Sequence, residues 1–123
     1  MTDEEKLYET MGELLYAVAK ADGVIQEDEK TTLQRILKDH KWKDEINWSF
    51  NYEVSKQNDV EEVYAKVITV CERIGPSPLY KEFIEAMTLV ANANNGVDEN
   101  EAKMMSSFSA DLIARFKKDV NLR

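Results

Sequence analysis

Apolar residues at Leu7, Met11, Leu14, Leu15 and Val18 recur three and four apart, the spacing that gathers side chains on one face of an α-helix. Thr2 and Glu5 stand at capping-box spacing, so the pattern predicts a first helix from about Asp3 to Ala21. Leu33, Ile36 and Leu37 predict a second over about Glu27 to Lys38. Asp59, with Glu62 three residues on, opens a fourth that carries Val63, Tyr64, Val67, Ile68 and Cys71 and stops at Gly75 and Pro76. Ser77 before Pro78 is an N-cap and first-turn pair, which starts a fifth reaching about Asn92. The last opens at Asp98 and runs to about Lys118 through Met104, Met105, Phe108, Leu112 and Phe116.

Between the second and fourth helices the period changes. Ile46, Trp48, Phe50, Tyr52 and Val54 alternate with Asn47, Ser49, Asn51 and Glu53, which taken alone is the signature of a half-buried strand. A lone strand would find no partner elsewhere in the chain, and its backbone groups would go unpaired. Context therefore favours a third helix over about residues 44–56, with the strand as its rival.

The two ends of the chain repeat one another. Ala19-Lys-Ala21-Asp22-Gly23-Val-Ile25-Gln-Glu-Asp-Glu29 returns as Ala91-Asn-Ala93-Asn94-Asn95-Gly96-Val97-Asp98-Glu-Asn-Glu101, every position 72 residues later. The flanking apolar positions repeat too, with Met11, Leu15 and Val18 matching Phe83, Met87 and Val90, and Leu33 and Ile36 matching Met105 and Phe108. Such a repeat implies two similar helix–turn–helix units, and two copies are too few for a solenoid. The expected fold is all-α: one domain over residues 1–123, a bundle of about six helices built from two units related by a pseudo-twofold.

At 123 residues the chain is long enough to bury a core without a metal or disulfide, and its single Cys71 can form no internal bridge. The formal net charge of −8 argues against nucleic acid or an anionic membrane surface as partner. No apolar run approaches the roughly 20 residues of a membrane span, and Thr2-Asp3-Glu4-Glu5 is unlike a signal peptide, so no membrane insertion and a cytoplasmic location are expected. Arg115, Lys117, Lys118 and Arg123 suit the C-terminal end of a helix dipole.

The pattern Ala-x-Ala-Asp-Gly-x-Ile-x-x-x-Glu at residues 19–29, repeated more weakly at 91–101 in an all-helical chain of this length, resembles the TerB family of tellurite-resistance-associated proteins. It is also similar to the TerB-like part of some DnaJ-like membrane co-chaperones, although this chain has no J domain. The resemblance covers roughly residues 7–115. It implies a non-enzymatic cytoplasmic module in stress-response or membrane-associated assemblies, with acidic turns proposed to bind divalent metal. The family's acidic positions fall on Asp22 and Glu29, and on Asn94 and Glu101; at Asn94 and Asn95 the second copy departs from Asp-Gly.

Two physical readings of the turns stand side by side. In one, Asp22 and Glu29 together with Asp98 and Glu101 supply hard oxygen ligands for Ca²⁺ or Mg²⁺. In the other, Gly23 makes a left-handed turn while Glu29 and Glu101 close capping boxes on Gln26 and Asp98. The spacing argues against a conventional EF-hand, because counting back from Glu29 as the twelfth loop position puts Val18 first and Lys20 third.

Catalytic alternatives are poor. His40 sits at a helix end with no Ser or Cys partner nearby in sequence, Cys71 lies on an apolar stripe as a buried inert thiol, and there is no phosphate loop, zinc spacing or dinucleotide fingerprint. Trp42, Trp48, Phe50 and Tyr52 crowd one connecting segment, where they either fill the gap between the two units or anchor a protein partner. The sequence thus reads as a binding or scaffold module, with a structural or oligomerisation domain, or a small metal-dependent enzyme, as rivals.

Overall fold

The computed structural model describes residues 2–21, 23–93 and 99–121, with side chains described as far as Phe116. Six helices follow one another: α1 (Asp3–Lys20), α2 (Glu27–Leu37), α3 (Lys43–Lys56), α4 (Val60–Ile74), α5 (Leu79–Ala91) and α6 (Glu99–Asn121), with no strand among the described residues.

Local chemistry sets most boundaries. Thr2 accepts the Glu5 amide at 3.1 Å to begin α1, and Asp59 accepts the Glu62 amide at 3.2 Å to begin α4. Gly75, at φ +94°, ends α4 in a region that costs a side chain strain. Ser77 Oγ accepts the Leu79 amide at 3.1 Å, so it caps α5 as expected although the helix proper starts after Pro78. The Asp98 start expected for α6 lies outside the described residues; α6 is regular from Glu99.

The repeat is visible in the packing. Glu27 opens α2 and Glu99 opens α6, the same 72-residue offset, so that Glu29 and Glu101 are each the third residue of their helix. α1 packs on α5, and the second helix of each unit lies on the first helix of the other: α2 on α5, α6 on α1. Met11, Leu15 and Val18 and their counterparts Phe83, Met87 and Val90 are buried in the shared core.

α1 is the axis of the molecule. Its expected single apolar face holds only at the start, because every residue from Leu14 to Ala19 is fully buried, polar-tipped Tyr16 included. α3 and α4 cover the side that α5 and α6 leave open, and a helix surrounded in this way needs no polar stripe.

The ambiguous segment is a helix. Its inward residues are Ile46, Ser49, Phe50 and Glu53, spaced three and four apart, and two of the four are polar. That is why hydrophobicity alone read as alternation: the apolar Trp48 and Tyr52 face out while Ser49 and Glu53 face in. Ser49 is accommodated by donating its hydroxyl to the Glu9 carbonyl of α1 at 2.6 Å. At the same crossing Gly12 brings the α1 backbone against α3, and a Cβ there would collide with Ser49 Oγ and the Ile46 carbonyl oxygen.

Candidate functional site

The first turn of the repeat contains Gly23 at φ +101°, the left-handed conformation expected of it. Glu29 is buried, and its Oε1 accepts the Gln26 amide at 2.9 Å, closing the capping box at the start of α2. Glu101 is buried at the matching place in α6. Asp22 and Asp98, the other two acids of the candidate cation site, lie outside the described residues, as does Asn94. Among the described residues no three carboxylate, imidazole or thiol groups converge as a metal site. The Glu29 carboxylate is thus engaged by backbone, and the described part of the turns does not assemble a cation cage.

The aromatic segment divides. Phe50 is buried edge-on against Tyr16. Trp42 stacks on Tyr8 with ring centres 5.7 Å apart and donates its indole N–H to Glu4 at 3.1 Å. Trp48 and Tyr52 point outward, 62% and 44% exposed, and stack on one another with centres 5.6 Å apart and planes 20° from parallel. The Lys56 ammonium lies 5.9 Å from the Tyr52 ring centre. The surface part of the segment is therefore narrowed to Trp48 and Tyr52, held by a helix whose opposite face is locked into the core.

Two polar clusters escaped sequence reading. In the first, the Trp42 amide donates to His40 Nδ1 at 2.9 Å, which leaves the ring proton on Nε2, 2.6 Å from Glu82 Oε1. Tyr8 donates its hydroxyl to the other Glu82 oxygen at 2.9 Å. Burial, together with the Glu82 carboxylate, pushes the Tyr8 phenol well above its ordinary range. An imidazole–carboxylate pair resembles half of a catalytic relay, but here both ring nitrogens and both carboxylate oxygens are engaged in tying α1, the α2–α3 link and α5 together. His40 is thus reached by Glu82, 42 residues away in sequence.

The second cluster surrounds Glu53, which is completely buried in α3. Lys66 of α4 places its ammonium 3.0 Å from Glu53 Oε2, and Asn58 donates its side-chain amide to Oε1 at 2.6 Å. Glu13 of α1 lies 3.5 Å from the same ammonium. Burial pushes the Glu13 carboxyl up despite the neighbouring Lys66. Burial works against the charge of Lys66 too, but Glu53 and Glu13 together outweigh it and hold the ammonium above its usual range. The cluster is a charge-paired pin between three helices. Its only sequence signal was a Glu at an inward helical position, legible once the segment is known to be helical.

Cys71 is fully buried, and burial pushes its thiol up to about 11, as suits an inert core cysteine. An open cleft of about 440 Å³ between α4 and α6 is bordered by Asp59, Tyr64, Lys103 and Met104. No helix among the described residues is long and apolar enough to cross a membrane.

The described residues form an all-α bundle of two interlocked helix–turn–helix units, with an aromatic pair presented on the intervening helix. The family of tellurite resistance protein TerB matches residues 8–114, nearly the whole chain, and the chain belongs to that family. No curated protein and no solved structure matches it.

Proposed function

We propose that the chain is a non-enzymatic, cytoplasmic scaffold module of the TerB type, acting in a stress-response context, which contacts a protein partner through the outward face of α3. The observation that carries this reading is the Trp48–Tyr52 pair: two large rings left in water on a helix whose inner face is anchored by Ile46, Ser49, Phe50 and Glu53. Exposed aromatic rings on rigid supports are the side chains that most often dominate protein contacts, since they bury much area at little cost in conformational entropy. A photo-crosslinking amino acid at Trp48, compared with one at exposed Glu61, tests it in cells. Protein adducts from position 48 alone support the reading, and equal or absent adducts reject it.

Cation binding at the turns is a separate proposal, favoured by the burial of Glu29 and Glu101 at matching places in the two units. Calcium and magnesium calorimetry on metal-stripped protein, beside Asp22→Asn with Glu29→Gln, decides it. Saturable heat lost in the double variant supports an ion site, whereas no heat up to millimolar ion leaves the acids as caps.

A further inference from the structure

Asp44, Trp48, Tyr52 and Lys56 stand four residues apart along α3, and all four are exposed. Residues at that spacing form one continuous ridge of a helix, here about 18 Å long at 1.5 Å per residue. The order along the ridge is acid, aromatic, aromatic, base.

Such an order is complementary to itself when reversed. If a second α3 is laid antiparallel about a twofold axis midway between Trp48 and Tyr52, each Trp48 faces the Tyr52 of the second copy. Each Asp44 then faces the Lys56 of the second copy, so the twofold makes this charge pair twice. We infer that the partner received by the α3 face is a second copy of this chain, paired ridge to ridge through antiparallel α3 helices. This inference rests on the reading of Trp48 and Tyr52 as a contact surface and names what occupies it.

Charge complementarity selects this occupant. The protein carries a net charge of −8, so two copies repel at long range, and any self-contact must place opposite charges locally. The ridge does so without help from the rest of the surface. The Lys56 ammonium, which lies over its own Tyr52 ring at 5.9 Å, needs only a rotamer change to reach across. Two rings with their flanking side chains cover roughly 400 Å² per copy, against about 800 Å² in a stable interface, so the dimer is weak.

Sedimentation velocity of the full chain from about 10 µM to about 1 mM tests the inference, with Asp44→Lys and Lys56→Asp as variants. Wild type should shift from monomer to dimer across this range. Each single swap sets like charges opposite one another at two places and should weaken the dimer about tenfold. An equimolar mixture of the two variants restores opposite charges at both places and should dimerise as wild type does, which also shows that both variants are folded. A dimer indifferent to either swap, or a mixture no tighter than its components, overturns the antiparallel ridge. A wild-type chain that stays monomeric overturns self-pairing. In that case position-48 crosslinks to a different protein would leave the contact surface standing, and absent adducts would remove both readings.

Discussion

Replacing Gly12 with Ala separates local propensity from tertiary packing, because the two predict opposite signs. Gly12 lies inside the 18-residue helix α1, where Ala is favoured over Gly by about 1 kcal/mol. In the folded chain the added methyl would overlap Ser49 Oγ and the Ile46 carbonyl oxygen. The hydroxyl can rotate away, but the carbonyl belongs to the backbone of α3 and moves only with that helix. Overpacking of this kind costs about 3 kcal/mol at the upper end of its range. Displacing α3 also breaks the 2.6 Å bond from Ser49 to the Glu9 carbonyl, worth about 1 kcal/mol. Against the propensity gain, the net loss is about 3 kcal/mol. With an unfolding entropy of about 0.26 kcal/mol/K for 123 residues, Tm should fall by about 12 °C. Thermal unfolding followed by circular dichroism measures it. Adding Ser49→Ala removes only the mobile half of the collision and should recover part of the loss. A Gly12→Ala protein as stable as wild type, or more so, would refute the close α1–α3 crossing.

The remaining expectations concern buried polar groups. Lys66→Met leaves the fully buried Glu53 facing the Asn58 side-chain amide without the ammonium, and should cost about 2 kcal/mol in urea unfolding, with most of it recovered by adding Glu53→Gln; an unaltered midpoint in the single variant would show that the pair contributes nothing. Because burial raises the folded-state pKa of Glu13 above its unfolded value, its contribution to stability is fully present below the ordinary carboxylate pKa and is lost as pH rises through the raised value. Glu13→Gln should therefore be as stable as wild type or more stable at pH 7, and the difference should shrink as pH falls towards 4; the opposite trend would reverse the assignment. Cys71, buried and with its thiol pushed up to about 11, should resist a thiol-reactive disulfide reagent at pH 8 and react at once in denaturant, and rapid labelling of the native protein would contradict its placement.

How much was legible can be read from particular residues. Thr2, Asp59, Gly75 and Ser77 act where they stand, since a cap bonds an amide two or three residues away, and their helix ends were correctly read from sequence. The pair Trp48 and Phe50 could not be sorted by alternation, because their fates depend on what α1 and α4 offer the inward side of α3. The neighbours there are a glycine backbone and a carbonyl of α1, which accept Ser49, and Lys66 of α4, which accepts Glu53. Likewise Tyr8, His40 and Glu82 lie 32 and 42 residues apart in sequence and carry no shared pattern until the bundle brings them together.

Five of the six helical segments, the caps at Thr2, Asp59 and Ser77 and the 72-residue repeat were legible in the sequence, since periodicity and capping are short-range chemistry written in neighbouring residues, whereas residues 44–56 stayed open between helix and strand. It took the packing of the bundle to show that α1 is enclosed from Leu14 to Ala19, that a glycine governs how closely α3 approaches, and that two of the four candidate aromatic residues remain in water. Burial is a property of what arrives from elsewhere in the chain. A helix carries its own hydrogen bonds, but it does not carry the surface against which its side chains are sorted.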